Sequence, residues 1–223
     1  GDYIPQYATG FNYTSTATQP VNGVLNYSDD ELVALFKYDQ DAFNRWEAGQ
    51  QYAVRQLLQL VGAYQQKQTL VFPDALADMM RYAIEHADQD ALFLSELLII
   101  PSEKYLGQQM DVVDVDAIHA AREFVLGELA KRLEPVWLVV YKANQESGAY
   151  TFNMRSVGKR QLKNRALSYL LLLPQHGALG LSQFESALKT NMTDTQAALM
   201  GLALQENPYR SKALDAFYAT WEK

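Results

Sequence analysis

Three histidines, His86, His119 and His176, are the side chains of this sequence best suited to hold a metal or to move a proton near neutral pH. A helical zinc site needs two imidazoles at i and i+4, which brings both to one face, together with a further carboxylate. No two of the three histidines stand at that spacing, and the pattern HExxH is missing. His119 and Glu123 are at i,i+4 but lack a third ligand, so they read as an exposed polar pair. His86 follows Glu85 at a predicted helix end, where an imidazole complements the helix dipole. The carboxylates Asp29 and Asp30, Asp111 and Asp114, and Asp114 and Asp116 are close enough in sequence for glycoside chemistry. Each pair lies at a predicted helix start, where acidic side chains meet the positive end of the dipole, and that role accounts for them. A GxSxG elbow, a GxxxxGK[ST] loop and a GxGxxG loop are missing, and there is no cysteine for a thiolate site, a nucleophile or a disulfide. No catalytic, cofactor-binding or metal-ligating residue is therefore assigned.

Two surface features remain. Arg155, Lys159, Arg160, Lys163 and Arg165 form a basic run on one predicted helix, which could meet an acidic partner but reads as a solvated face. The 14 Tyr, 9 Phe and 3 Trp could line a peptide-binding surface, although Phe43, Trp46 and Tyr64 stand at helical spacing and read as core. A net charge of -7 and a pI near 5.0 argue against nucleic acid as a partner, because that affinity comes largely from counterion release by clustered Lys and Arg. The longest apolar runs, LLII at 97–100 and LLLL at 170–173, fall far short of the roughly 20 residues that span a bilayer, so no membrane partner is expected. No basic-then-apolar leader opens the residues, so no signal peptide is expected.

The elements that must position these residues are helices. With 223 residues the chain can bury a real core. The longest helical pattern runs from Asp111 to Asn144, with Ile118, Ala121, Val125, Leu129, Leu133, Val136 and Val140 on one stripe, widened by Phe124, Leu126 and Trp137. Pro135 predicts a kink or break near Glu134. Upstream, Ser28 to Glu31 is a capping box for a helix carrying Leu32, Leu35 and Phe36. Further helices are predicted over 41–64, 74–86 with Pro73 in the first turn, about 90–100, and a short one from Ser102. Downstream they are predicted over 153–173, from the capping boxes Ser182 to Glu185 and Thr193 to Gln196, and through Leu214, Phe217 and Trp221. Residues 1–27, rich in Tyr, Thr, Gly and Asn, have no helical period and read as strand or extended linker. The fold class is all-α: stacked antiparallel helices, a degenerate ARM/HEAT-like α-solenoid, with an extended or β N-terminal segment.

Several stretches in the same order resemble the C-terminal helical domain of bacterial aminopeptidase N. They are PVNGVLNYSDDEL at 20–32, DAFNRWEAGQ at 41–50, IPSEKYL at 100–106, DVVDVDAIHAAREFV at 111–125, VGKRQLKNRALSYL at 157–170 and NMTDTQAALMGLA at 191–203. The resemblance implies a long zinc exopeptidase that removes N-terminal amino acids. Residues 1–27 would then be the tail of a preceding β-sandwich, and 28–223 a helical domain that caps the cleft and restricts access to peptide N-termini. The partners implied are the catalytic domain of the same chain and peptide substrates, the cofactor is zinc held by the parent and none in this segment, and the compartment is cytoplasmic. Both catalytic signatures of the family, HExxH and GxMEN, are missing here, so no catalytic or metal residue carries over. The pattern breaks off at Trp221 where relatives continue with more helices, and Thr195 stands where an Arg is common, which implies a lost surface contact. The alternative from the residues alone is a free-standing α-solenoid that binds a protein or peptide on its concave face.

Overall fold

A computed structural model describes residues 26–86, 90–146, 150–204 and 206–222, and all regular structure among them is helical. The strand or linker expected over 1–27 falls almost wholly outside the described residues. Helix α1, Asp29–Tyr38, opens on the predicted capping box. The Glu31 amide donates to Ser28 Oγ at 3.3 Å, and the Ser28 amide donates to Glu31 Oε2 at 2.7 Å. Leu32 and Phe36 of α1 are buried against α2, Ala42–Gln65. The two helices run antiparallel. A Cβ on Gly49 would lie 2.7 Å from the Phe36 ring, so glycine sets their approach. At the other end Arg55 holds Asp29 at 2.6 Å and the Tyr27 carbonyl at 2.9 Å. Ala53, Leu57 and Leu60 are core, but of the three aromatics read as core Phe43 and Tyr64 are exposed and Trp46 is only half-buried. Phe43 and Tyr64 stand in the terminal turns of α2, beyond the neighbours that cover its middle.

Helix α3, Asp74–Glu85, buries Leu76, Met79, Met80 and Ala83, with Pro73 one residue outside it rather than in its first turn. Helix α4, Ala91–Leu97, is shorter than the predicted span. From Leu98 the chain unwinds ahead of Pro101, since the residue before a proline is pushed out of the helical region. The freed carbonyls do not go unpaired. Those of Leu98, Ile99 and Pro101 accept from Tyr169 Oη, Gln50 Nε2 and Arg122 Nε, each at 2.9 Å. Helix α5, Glu103–Gly107, follows, capped by Ser102.

The long predicted helix is two helices, α6, Val115–Arg132, and α7, Glu134–Ala143, broken at Leu133. Pro135 is the cause: it occupies the first turn of α7, where a missing amide hydrogen has no intrahelical acceptor to lose. Asp111 to Asp114 stay outside α6, whose cap is Asp114, accepting from the Ala117 amide at 3.0 Å. The stripe Ile118, Ala121, Val125, Leu129, Leu133 and Val140 is buried, with Val136, Phe124 and Leu126 at its half-buried edges. Trp137 lies at the centre, with no exposed surface.

Helix α8, Met154–Leu170, is capped by Asn153, and a 3-10 turn at Pro174–His176 leads into α9, Gly177–Ala187. Then come α10, Met192–Leu204, and α11, Arg210–Trp221. Two expected helix starts move. Ser182 lies inside α9, because the turn at Pro174 already begins winding upstream and leaves no free amides at Ser182 to cap. Asn191 rather than Thr193 opens α10, accepting from the Asp194 amide at 3.2 Å. Thr195 is fully buried and donates to the Asn191 carbonyl at 2.9 Å, so it is an interior position and not the surface one implied by the resemblance. The main helix contacts are α1 with α2, α2 with α6, α7 with α8, α8 with α10, and α10 with α9 and α11, with α4 laid across α8. The array is the ARM-like solenoid that the sequence predicts. Among the described residues no helix is long and apolar enough to cross a membrane.

Candidate functional site

The basic run on α8 does not form a solvated face. Arg160 and Lys163 are 4% and 5% exposed, while Arg155 points outward and Arg165 is half-buried. Burying an ammonium or guanidinium is costly unless it is paired and hydrogen-bonded, so partners must exist. Lys163 Nζ makes a short contact with Asp194 Oδ2 in the first turn of α10. Asn164 and Asn191 donate to the same carboxylate, each at 2.9 Å, and Gln183 of α9 donates to Asn164 Oδ1 at 2.8 Å and to the Asp194 carbonyl at 3.1 Å. One network thus ties α8, α9 and α10. Arg160 lies over the Tyr150 ring at 4.5 Å and donates to Glu146 at 3.2 Å and to the Thr151 carbonyl at 3.0 Å.

Arg160, Lys163, Gln183, Asn191 and Asp194 form one wall of a polar cavity of about 740 Å³, completed by Tyr141 and Gln145 on the α7 side and Ser182, Ser186 and Thr190 on the α9 side. Its charges cancel in pairs. Burial pushes the Tyr141 phenol above its ordinary value and the Asp194 carboxylate adds to that, against the Gln145 hydrogen bond. The phenol therefore stays protonated near neutral pH. The basin is a neutral, hydrogen-bonding surface fit to hold a polar group; it brings no nucleophile and base together.

The histidines lie apart, each at a helix end or on an outer face. His86 stacks on Tyr82 at 4.0 Å, with Nδ1 3.0 Å from the Tyr82 carbonyl at the end of α3. His176 meets Glu134 at 2.8 Å. His119 pairs with Glu103 at 2.8 Å and not with Glu123. Among the described residues no three His, Asp or Glu come together as metal ligands. Asp29 is held by Arg55 and Gln56, and Asp114 by its cap and Gln65, so the carboxylate shared by two of the three pairs and one member of the other already have structural partners.

The Glu103 hydrogen bond raises His119 above its ordinary 6.5. This contact stabilises the fold fully below that ordinary value, and the contribution fades as pH rises through the raised one. In Glu103→Gln, the His119 titration followed by NMR falls back toward 6.5. An unmoved titration would mean that the pair does not form in solution.

Sequence reasoning missed Asn164, Gln183, Asn191 and Asp194. The signal was present in the stretch NMTD, where Asn191 and Asp194 stand at the spacing of a helix cap. What it could not show is that the cap carboxylate faces a buried lysine.

Residues 29–223 match the family described as "Domain of unknown function (DUF3458_C) ARM repeats". The chain belongs to this family. This ARM-repeat domain is 30% identical over 206 residues to Aminopeptidase N of Escherichia coli (strain K12), covering 92% of the chain and 23% of that relative. It is 28% identical over 180 residues to Aminopeptidase N of Haemophilus influenzae, covering 81% of the chain and 20% of that relative. Its fold is similar to the crystal structure of Legionella pneumophila aminopeptidase A in complex with aspartic acid, with a TM-score of 0.74 and 25% identity over 88% of the chain and 24% of that structure. The ARM-repeat domain therefore spans less than a quarter of the length of these relatives and is a C-terminal helical domain of the aminopeptidase N-like kind.

Proposed function

We propose that the chain is the non-catalytic helical part of a longer aminopeptidase N-like zinc exopeptidase, where it walls the active-site cleft and restricts entry to peptide N-termini. The observation that carries this reading is the match to Aminopeptidase N across 92% of the chain but only 23% of that relative. Residues 28–223 form the helical domain and 1–27 the link from a preceding β-sandwich. Its partners are the catalytic domain of the same polypeptide and peptide substrates, and the compartment is the cytoplasm. The histidines here do not suit a zinc site, since His119 and His176 are committed to Glu103 and Glu134 on different faces. Zinc belongs to the rest of the parent, and no step is routed through it.

The test uses the full natural polypeptide and residues 1–223 side by side. The full polypeptide is expected to release the amino acid from an unblocked aminoacyl anilide and to leave the N-acetylated anilide intact, with a zinc chelator abolishing turnover. Residues 1–223 alone are expected to release nothing. Chelator-sensitive turnover by 1–223 would overturn the division of labour, and an inactive full polypeptide would return the chain to the free-standing binding module.

A further inference from the structure

The α9 side of the polar basin is short of hydrogen-bond donors. Gln183, 6% exposed, gives its Nε2 to Asn164 Oδ1 at 2.8 Å and to the Asp194 carbonyl at 3.1 Å. Both partners are acceptors, so the amide cannot be turned over and Oε1 is held as the oxygen. That Oε1 is buried and has no hydrogen-bond partner among the described residues. Buried polar atoms in folded proteins are nearly always paired, so an orphan in a cavity wall points to a missing donor. The following turns repeat the pattern. Ser186 Oγ donates to the Gln183 carbonyl at 3.0 Å and Thr190 Oγ1 to the Ser186 carbonyl at 3.3 Å. Both hydroxyl hydrogens are thereby turned back on the chain, and their oxygens are left as acceptors. On the α7 side the Tyr141 hydroxyl interacts with Gln145, while its own proton has no acceptor among the described residues.

The shape and charge of the basin narrow the occupant. Leu179, Ser182, Gln183, Ser186, Ala187 and Thr190 recur at steps of three and one, which puts them on one face of α9 and the turn after it. From Leu179 to Ala187 that face runs about 12 Å at a helical rise of about 1.5 Å per residue. This is the length of about four residues of extended chain. The basin is therefore a trough. Its charges are already matched, Lys163 by Asp194 and Arg160 by Glu146 at 3.2 Å, and a charged ligand would have to break a buried pair to find a counterion. The occupant must be neutral, elongated and able to donate along one side while accepting from Tyr141. A peptide main chain has this chemistry, with an N–H and a C=O at almost every residue. We propose that the trough along α9 is a subsite for the main chain of a peptide, held extended with an N–H on Gln183 Oε1 and a C=O on the Tyr141 hydroxyl. The choice of a peptide over another neutral donor rests on the reading of the parent as an enzyme of peptides. Held through its main chain, the peptide is bound without regard to its sequence or its termini.

The probe is a fluorescent hexapeptide of Ala, Ser and Thr, N-acetylated and C-amidated, titrated into the full natural polypeptide and read by anisotropy. The blocked N-terminus keeps it from being consumed. Ser186→Phe fills the trough at an exposed position whose hydroxyl bonds within its own helix, so the fold is kept. Ser168→Phe is the control, exposed on α8 outside the trough and likewise bonded within its own helix. Tyr141→Phe keeps the ring and removes the donor. Ser186→Phe is expected to weaken binding at least tenfold and Ser168→Phe to leave it unchanged. Tyr141→Phe is expected to weaken it about fivefold, the effect of one neutral hydrogen bond. Affinity is expected to rise with peptide length up to about four residues and then level off. It is expected to be the same at low and high salt, and with a free or an amidated C-terminus. No saturable binding, or binding that Ser186→Phe leaves intact, would overturn the proposal. Binding that falls with salt or requires a free terminus would also overturn it, in favour of a charge-reading site. The anilide assay separates the two readings. A full polypeptide that cleaves the anilide but does not bind the blocked peptide loses the subsite and keeps the peptidase, whereas Ser186-sensitive binding by an inactive polypeptide keeps the subsite and loses the peptidase.

Discussion

Trp137→Ala lowers the stability of the chain by about 4 kcal/mol, the upper range for removing a large aromatic from a packed interior. The side chain is fully buried, stacked on Tyr169 with ring centroids 4.3 Å apart and planes 3° from parallel. Its indole Nε1 donates to the Leu129 carbonyl at 3.1 Å, across the break between α6 and α7. Alanine leaves a cavity where two helices change direction, and Tyr169, whose hydroxyl is bound to the Leu98 carbonyl, cannot swing in to fill it without giving up that bond. Trp137→Phe keeps much of the stack and loses the indole bond, so it costs less, about 1–2 kcal/mol. Urea unfolding of both variants checks this, with the midpoint moving and the slope unchanged. A cost under about 1 kcal/mol for the alanine variant would show that the α6–α7 junction closes around the missing ring.

Asp194→Ala costs about 3–5 kcal/mol, the range for breaking a buried pair by removing one partner. The cost lies mostly in what is left behind: Lys163, 5% exposed, loses its counterion, and Asn164 and Asn191 each lose an acceptor. Lys163→Met removes the charge itself and leaves the carboxylate with two amide donors, so it is milder. Combining Lys163→Met with Asp194→Leu is expected to recover at least about half of the single-variant loss, since an apolar pair of similar volume carries no desolvation cost. Additive losses in the double variant would mean that the pair contributes through shape alone.

How far the sequence could be read depends on how far apart the partners sit. The Ser28 capping box joins residues three apart, and the effect of Pro135 falls within one turn, so both were legible. Leu129, Leu133 and Val140 were legible too, because the helical period survives the break. The burial of Arg160 and Lys163 was not, since Glu146 is 14 residues upstream of Arg160 and Asp194 is 31 downstream of Lys163. On α8 alone they continue a charged run, and it is the approach of α10 to Lys163, and of Glu146 and Tyr150 to Arg160, that turns the run into an interior wall. His119 was misread for the same reason, having Glu123 within one turn and its actual partner Glu103 16 residues away. The candidate site was therefore visible in its parts, as NMTD and a basic helix, but not as a site.

The unwound strip from Leu98 to Pro101 also governs how the array comes apart. Stacked repeats that touch only their neighbours can fray one at a time from an end. Here three carbonyls within four residues are taken by side chains from α8, α2 and α6, over sequence separations of 71, 49 and 21 residues. Melting any one of those helices strips an acceptor partner from the same short strip and loosens its hold on the other two. The middle of the molecule should therefore lose its slow-exchanging amides together, in a single sub-global opening, while α1 and α11 fray independently at the ends.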